Sequence, residues 1–191
     1  PTGLERNGRG PYNAIGFGKQ EGLSADANSL RHALRRYYLS KIYIAAPFRR
    51  FSTEEPDRAY GVFTDSAHRS LLLAVDAELT RLGHIACLPH RDEGQWGEEY
   101  IPPERIAEIC FNEIRWSEVV LGLPGKSRGV HIELGYAAAL GKRLVVFTPA
   151  GERESTLLRG LGTLTEATFH KYNSPDDLLR RVASELDKDN A

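Results

Sequence analysis

From about residue 41 onward, short unbroken apolar runs alternate with longer stretches in which apolar residues recur every three or four positions. The runs fall at residues 42–46, 85–88, 119–123 and 144–147, and their lack of polar interruption predicts strands covered on both faces. The periodic stretches predict four helices. They span 64–82, closed by Gly83; 103–116, with Pro103 early in the first turn; 131–140, closed by Gly141; and 174–186, capped by Ser174 with Pro175 following. Residues 167–172 supply a fifth strand. Strand and helix alternating in this way build parallel βαβ units. The expected fold class is therefore α/β, a five-stranded parallel sheet in a flavodoxin- or Rossmann-like three-layer α/β/α arrangement.

Residues 1–40 do not share this rhythm. They are rich in Gly, Asn and Ser, then turn basic and aromatic at Arg31, Arg35, Arg36, Tyr37 and Tyr38. They read as an N-terminal extension ending in a short helix over 25–38, ahead of a catalytic domain at 41–191. Gly16-Phe17-Gly18 follows no strand and lacks a third glycine, so it makes no phosphate loop.

Composition narrows the partners. At 191 residues the chain suits one domain plus a tail. Lys plus Arg total 25 against 26 for Asp plus Glu, which gives no field for a nucleic-acid polymer. No apolar run approaches the roughly 20 residues of a membrane span, and the first twenty residues lack the apolar block of a signal peptide. A cytoplasmic protein is the expectation. Cys87 and Cys110 sit in apolar segments without close partners and read as buried, reduced thiols. The six histidines lack metal-ligand spacing, so neither metal nor cofactor is expected.

In an open parallel sheet, ligands bind beyond the carboxyl ends of the strands. Three loops there are chemically loaded: Ala46-Pro47-Phe48-Arg49-Arg50, the stretch from Pro89-His90-Arg91-Asp92 to Trp96-Gly97-Glu98-Glu99, and Pro124-Gly125-Lys126-Ser127-Arg128-Gly129. The third feeds a helix expected to begin near Val130 or His131. That places Glu133 in its first turn, where free N–H groups and the helix dipole favour an ionised carboxylate. The same entrance, with the Ser127 hydroxyl and glycines 125 and 129, suits a phosphate. A carboxylate beside a phosphate pocket suits attack on the anomeric carbon of a nucleotide. A first-turn Glu is equally at home as a capping partner.

The run 127–137 (SRGVHIELGYA), followed by ALGKR at 139–143, resembles the signature of the nucleoside 2-deoxyribosyltransferase superfamily. KIYIAAPFR at 41–49 is similar to that superfamily's first strand and loop. His90-Arg91 with Trp96-Gly97 resembles the second loop of its cytidylate and hydroxymethylcytidylate hydrolase branch, and STLLRG at 155–160 resembles a segment of the 2'-deoxynucleoside 5'-monophosphate N-hydrolases. The resemblance implies that Glu133 is the nucleophile and Tyr43 the phenol that orients it. It implies that Ser127 and the Gly129 backbone bind a 5'-phosphate, that Arg49 is a second phosphate or base contact, and that Phe48, His90 and Trp96 line the base pocket. Ser155 matches a residue that completes the phosphate site of a neighbouring subunit, which implies a homodimer with shared active sites.

The implied activity is hydrolysis of the N-glycosidic bond of a nucleoside 5'-monophosphate, with a CMP-like pyrimidine favoured. A nucleoside 2-deoxyribosyltransferase and a catalytically silent nucleotide-binding module are the alternatives. From the residues alone, Tyr43 is as well explained by packing on its strand, Trp96 as a lid over its loop, Ser155 as a helix cap, and Arg49 or Arg50 as solvated surface. One position departs from the family: an aspartate eight residues ahead of the acidic position matched by Glu118 is Cys110 here. Glu113 and Glu98 are the substitutes considered for its help to the leaving base.

Overall fold

The computed structural model describes residues 40–54 and 60–187. The chain divides into Pro1–Leu34 and Arg35–Ala191, and every described residue belongs to the second unit. The helix expected at 25–38 lies outside the described residues.

Five strands form one parallel sheet: β1 (Lys41–Ala45), β2 (Ile85–Cys87), β3 (Val119–Gly122), β4 (Arg143–Pro149) and β5 (Ala167–Tyr172). Their spatial order is β2-β1-β3-β4-β5, the doubly wound order in which the crevice opens between β1 and β3, whose following connections leave on opposite faces of the sheet. Six helices are described: α1 (Ser66–Arg81), α2 (Pro89–Asp92), α3 (Pro103–Trp116), α4 (Arg128–Ala139), α5 (Thr156–Gly160) and α6 (Pro175–Leu186). This is the three-layer α/β/α fold that the alternating pattern implies.

The period-two alternation of β1 divides the core into its two layers. Ile42 and Ile44 pack with Leu72, Val75 and Leu79 of α1 and Leu178, Val182 and Leu186 of α6. Tyr43 and Ala45 face the opposite layer, with Ile114 of α3, Val130, Leu134 and Ala137 of α4 and Leu158 of α5. Each fully buried aliphatic side chain contributes about 1.5–3 kcal/mol over its exposed state. Tyr43 is thus aimed at α4 by strand geometry, independently of any role for its hydroxyl.

Several boundaries differ from the sequence expectation, each for a local reason. α1 begins at Ser66 because Asp65 accepts the His68 N–H and caps it at 2.8 Å. β4 runs past both ends of its apolar stretch because Arg143 pairs with Val119 of β3 and Thr148 and Pro149 pair with β5. Most consequential for the site, Ser127 caps α4, so the helix starts at Arg128 rather than near residue 130. Cys87 is buried as expected, whereas Cys110 is only half-buried. Among the described residues, no helix is long and apolar enough to cross a membrane.

Candidate active site

A cleft of about 680 Å³ opens at the carboxyl ends of β1 and β3, within the size range of small-molecule sites. At its floor the Tyr43 hydroxyl donates to Glu133 Oε1 at 3.0 Å across 90 residues of sequence. Tyr43 itself is 1% exposed. Cys110, projecting from α3, reaches the same carboxylate with its thiol and also meets the Tyr43 phenol. Glu133 is the one carboxyl group among the described residues that line the cleft.

The environment of Glu133 departs from the sequence reading in two linked ways. With α4 starting at Arg128, Glu133 occupies the second turn, and the first turn holds no acidic residue. The dipole argument for a fully ionised carboxylate therefore does not apply, since that effect fades beyond the first turn. Burial instead pushes the Glu133 carboxyl up to about 7, and the hydrogen bonds from Tyr43 and Cys110 restrain the rise. Burial, with the Glu133 charge second, holds the Tyr43 phenol well above its ordinary value. It also pushes the Cys110 thiol up to about 12, with Glu133 adding to the shift.

A carboxyl poised there is half-ionised near neutral pH. If its anion is the reactive form, activity is lost below about pH 7 and rises as pH climbs through that value. Tyr43→Phe removes a donor that stabilises the anion, so the acid limb of the pH–rate profile moves to higher pH and kcat falls by about 10–10²-fold. A stopped-time assay across pH 5–9 on both proteins checks this; an acid limb that does not move contradicts it.

One wall of the cleft is aromatic. Phe48 meets Tyr60 edge-on at 4.9 Å and lies 5.2 Å from the His90 ring, with Pro89 and Ile106 beside them. Burial pushes His90 down to about 4, His68 adds to the effect, and the Ala46 and Pro47 carbonyls oppose it. His90 is therefore neutral at physiological pH. Tyr60 escaped the sequence reading because no periodic pattern surrounds it. Its hydroxyl donates to the Ile101 carbonyl at 3.1 Å and accepts the Ile101 N–H at 3.2 Å, which pins the ring in place.

The rest of the lining is cationic. Arg49 and Arg50 come from the turn after β1, and Lys126 and Arg128 flank the α4 entrance. All four are exposed, and none is ion-paired among the described residues. Ser127 and Gly129 line the cleft beside the latter two. The Ser127 hydroxyl accepts the Val130 N–H at a long 3.4 Å, so it caps the helix and still borders the cavity. Four unneutralised cations beside a helix N-terminus form an anion-binding rim. Lys126 and Arg128 were visible in the sequence only as loop residues.

Two expected site residues lie elsewhere. Trp96 is buried in the core, 5.4 Å from Phe63 and with the Arg69 guanidinium 4.7 Å above its ring, and it does not line the cleft. Gln95 and Trp96 both adopt positive φ, at 43° and 61°, an uncommon conformation outside glycine. That reversal turns the indole inward, behind Phe48 and His90. Gly97 follows at φ 88°, where a Cβ would sit 2.4 Å from the Gly61 carbonyl oxygen, so the loop tolerates only glycine there. Ser155 caps α5, accepting the Leu158 N–H at 3.2 Å, and is exposed away from this cleft. Glu113 is engaged by Lys41 at 2.7 Å, and neither it nor Glu98 lines the cleft.

Fold and site together define a class: an open α/β domain with a half-buried carboxylate at its topological switch point, bordered by aromatic and cationic walls. The fold is that of the nucleoside 2-deoxyribosyltransferase-like superfamily. The structure is similar to the CMP N-glycosidase BcmB of Clostridium botulinum, with a TM-score of 0.58 and 19% identity over 76% of this chain and 98% of that one. It is similar to the solution structure of BlsM, with a TM-score of 0.64 and 26% identity over 78% of this chain and 90% of that one. A 2-deoxyribosyltransferase from Bacillus psychrosaccharolyticus aligns more loosely, at a TM-score of 0.48 and 23% identity over 73% and 90% of the two chains. No family model and no curated protein sequence matches the chain.

Proposed function

We propose that the protein is an N-glycosidase that hydrolyses a nucleoside 5'-monophosphate to free base and (deoxy)ribose 5-phosphate. The observation that carries this reading is Glu133, the one cleft carboxyl among the described residues, held at 3.0 Å by Tyr43 between an aromatic wall and a rim of cations. Glu133 attacks C1' as nucleophile. Tyr43 positions it and stabilises its charge as the oxocarbenium-like transition state develops. Phe48, Tyr60 and His90 hold the base by stacking. Arg49, Lys126, Arg128, Ser127 and the Gly129 backbone hold the phosphate. A CMP-like pyrimidine is the favoured base on the likeness to a protein described as a CMP N-glycosidase.

The cationic rim favours this over a transferase acting on free nucleosides. A silent nucleotide-binding module draws support from one observation, the thiol at Cys110 in place of a family carboxylate. The homodimer with shared sites belongs to the same proposal. Trp116, Ile132 and Leu157 are exposed on α3, α4 and α5, the helices covering one sheet face, and Ser155 caps the last of these. An apolar set of this kind on one layer suits a second copy.

The test incubates the protein with nucleoside 5'-monophosphates and the matching nucleosides, with and without a second base, and follows free base by chromatography. Base from monophosphates alone, independent of an acceptor, is the expected result. Reaction of nucleosides only in the presence of an acceptor replaces the proposal with the transferase, and binding without turnover replaces it with the silent module. Sedimentation of the same sample is expected to give the mass of two chains.

A further inference from the structure

Cleaving C1'–N leaves an electron pair on the base, and two-carboxylate glycosidases manage the leaving group by protonating it from a second acid. Among the described residues no second carboxylic acid lines this cleft. Cys110 stands on α3 beside Glu133 and lines the cavity, but it presents a thiol. Its proton is held up to about 12, far too weakly acidic to protonate a departing base near neutral pH. The Tyr43 hydroxyl is committed to Glu133 and that of Tyr60 to the Ile101 carbonyl. Buried His90 is neutral. Glu93 is exposed and, like Glu98 and Glu113, is not part of the lining.

Such a site cleaves best a bond whose base needs no proton. A base whose ring is already cationic at the glycosidic bond leaves neutral, because the bonding pair cancels its charge. The aromatic wall suits it: Phe48 and Tyr60 line the cleft, aromatic rings attract a cationic ring, and the neighbouring imidazole adds no opposing charge. We infer that the preferred substrates are nucleotides carrying a cationic base, of the N-glycosyl pyridinium or ring-N-alkylated purine kind, with Cys110 as the residue that sets this preference. The inference rests on the N-glycosidase reading and replaces its CMP-like base, which was drawn from a structural likeness, with a cationic one.

The step balances. A Glu133 carboxylate oxygen bonds to C1' as the C1'–N bond breaks, and its electron pair goes to the ring nitrogen, so the base departs uncharged. Water then bonds to C1', the C1'–O bond returns its electrons to Glu133, and the surplus proton of the water passes to solvent. Only water is consumed besides the nucleotide.

The experiment compares kcat/KM for base release from 7-methylguanosine 5'-monophosphate and GMP, a matched pair differing in the ring charge, and from nicotinamide mononucleotide and CMP. For the wild-type protein the cationic member of each comparison is expected to exceed the neutral one by at least about 100-fold, roughly 2.7 kcal/mol of barrier. Cys110→Asp places a carboxyl where a proton can reach the base, and the ratio falls at least tenfold. GMP and CMP cleaved within tenfold of the cationic nucleotides by wild-type protein, or a ratio unmoved in a folded Cys110→Asp, overturns the inference and leaves the N-glycosidase reading standing. Release of base from none of the four overturns both. The wild-type comparison decides the matter even if the variant fails to fold.

Discussion

Glu133→Gln is expected to lower base release by at least about 10³-fold, which corresponds to roughly 4 kcal/mol of lost transition-state stabilisation. The amide is nearly isosteric and its oxygen still accepts from Tyr43 at the position now bonded at 3.0 Å. Cavity, caps and core are untouched, so nucleotide affinity changes little. What disappears is the anion that bonds to C1', and no second carboxyl group among the described lining residues replaces it. A kcat that collapses while affinity, followed by calorimetry, holds within a few-fold is the expected pattern. A loss of affinity equal to the loss of rate would make Glu133 a binding group only.

The second large effect belongs to the other end of the substrate. Arg49 and Lys126 approach the cleft from two separate loops, and neither has an ion-pair partner among the described residues. Charge-assisted hydrogen bonds contribute roughly 1.5–3 kcal/mol each. The double variant Arg49→Ala with Lys126→Ala is therefore expected to lower kcat/KM for a monophosphate by about 10²-fold or more. It lowers the small residual rate on the matching nucleoside far less. Because these side chains are exposed, the wild-type preference for the monophosphate shrinks as ionic strength rises. Equal losses on nucleotide and nucleoside would move the two residues out of the phosphate site.

How much of this was legible in the sequence depended on whether a periodic pattern or a tertiary accident set each feature. α3 and β5 were readable to the residue, α3 because Pro103 marks its start locally. The meeting of Tyr43 with Glu133 was accessible only through family resemblance, since their spacing of 90 residues leaves no local trace. The start of α4 was misread because Gly129 is a poor helix former, whereas the Ser127 cap carries the helix through it. That difference of two or three residues moved Glu133 out of the first turn and replaced an expectation of full ionisation with a carboxyl poised near 7. Trp96 was misplaced because residue type does not say which side of a loop a ring takes. The left-handed backbone at Gln95 and Trp96 decides it. Tyr60, Lys126 and Arg128 reach the cleft through loop geometry, which no spacing announces.

The central claim is that Glu133 becomes covalently bonded to the sugar. A 5'-monophosphate with fluorine at C2' destabilises the oxocarbenium-like transition states of both formation and breakdown, so the intermediate survives an acid quench. Digestion at Arg128 and Lys142 isolates residues 129–142, which carry Glu133 as their one carboxyl side chain. Mass spectrometry is expected to find that peptide heavier by one fluorinated sugar phosphate, with one equivalent of base released and no adduct in Glu133→Gln. One equivalent of base released with the peptide at its unmodified mass would contradict the account.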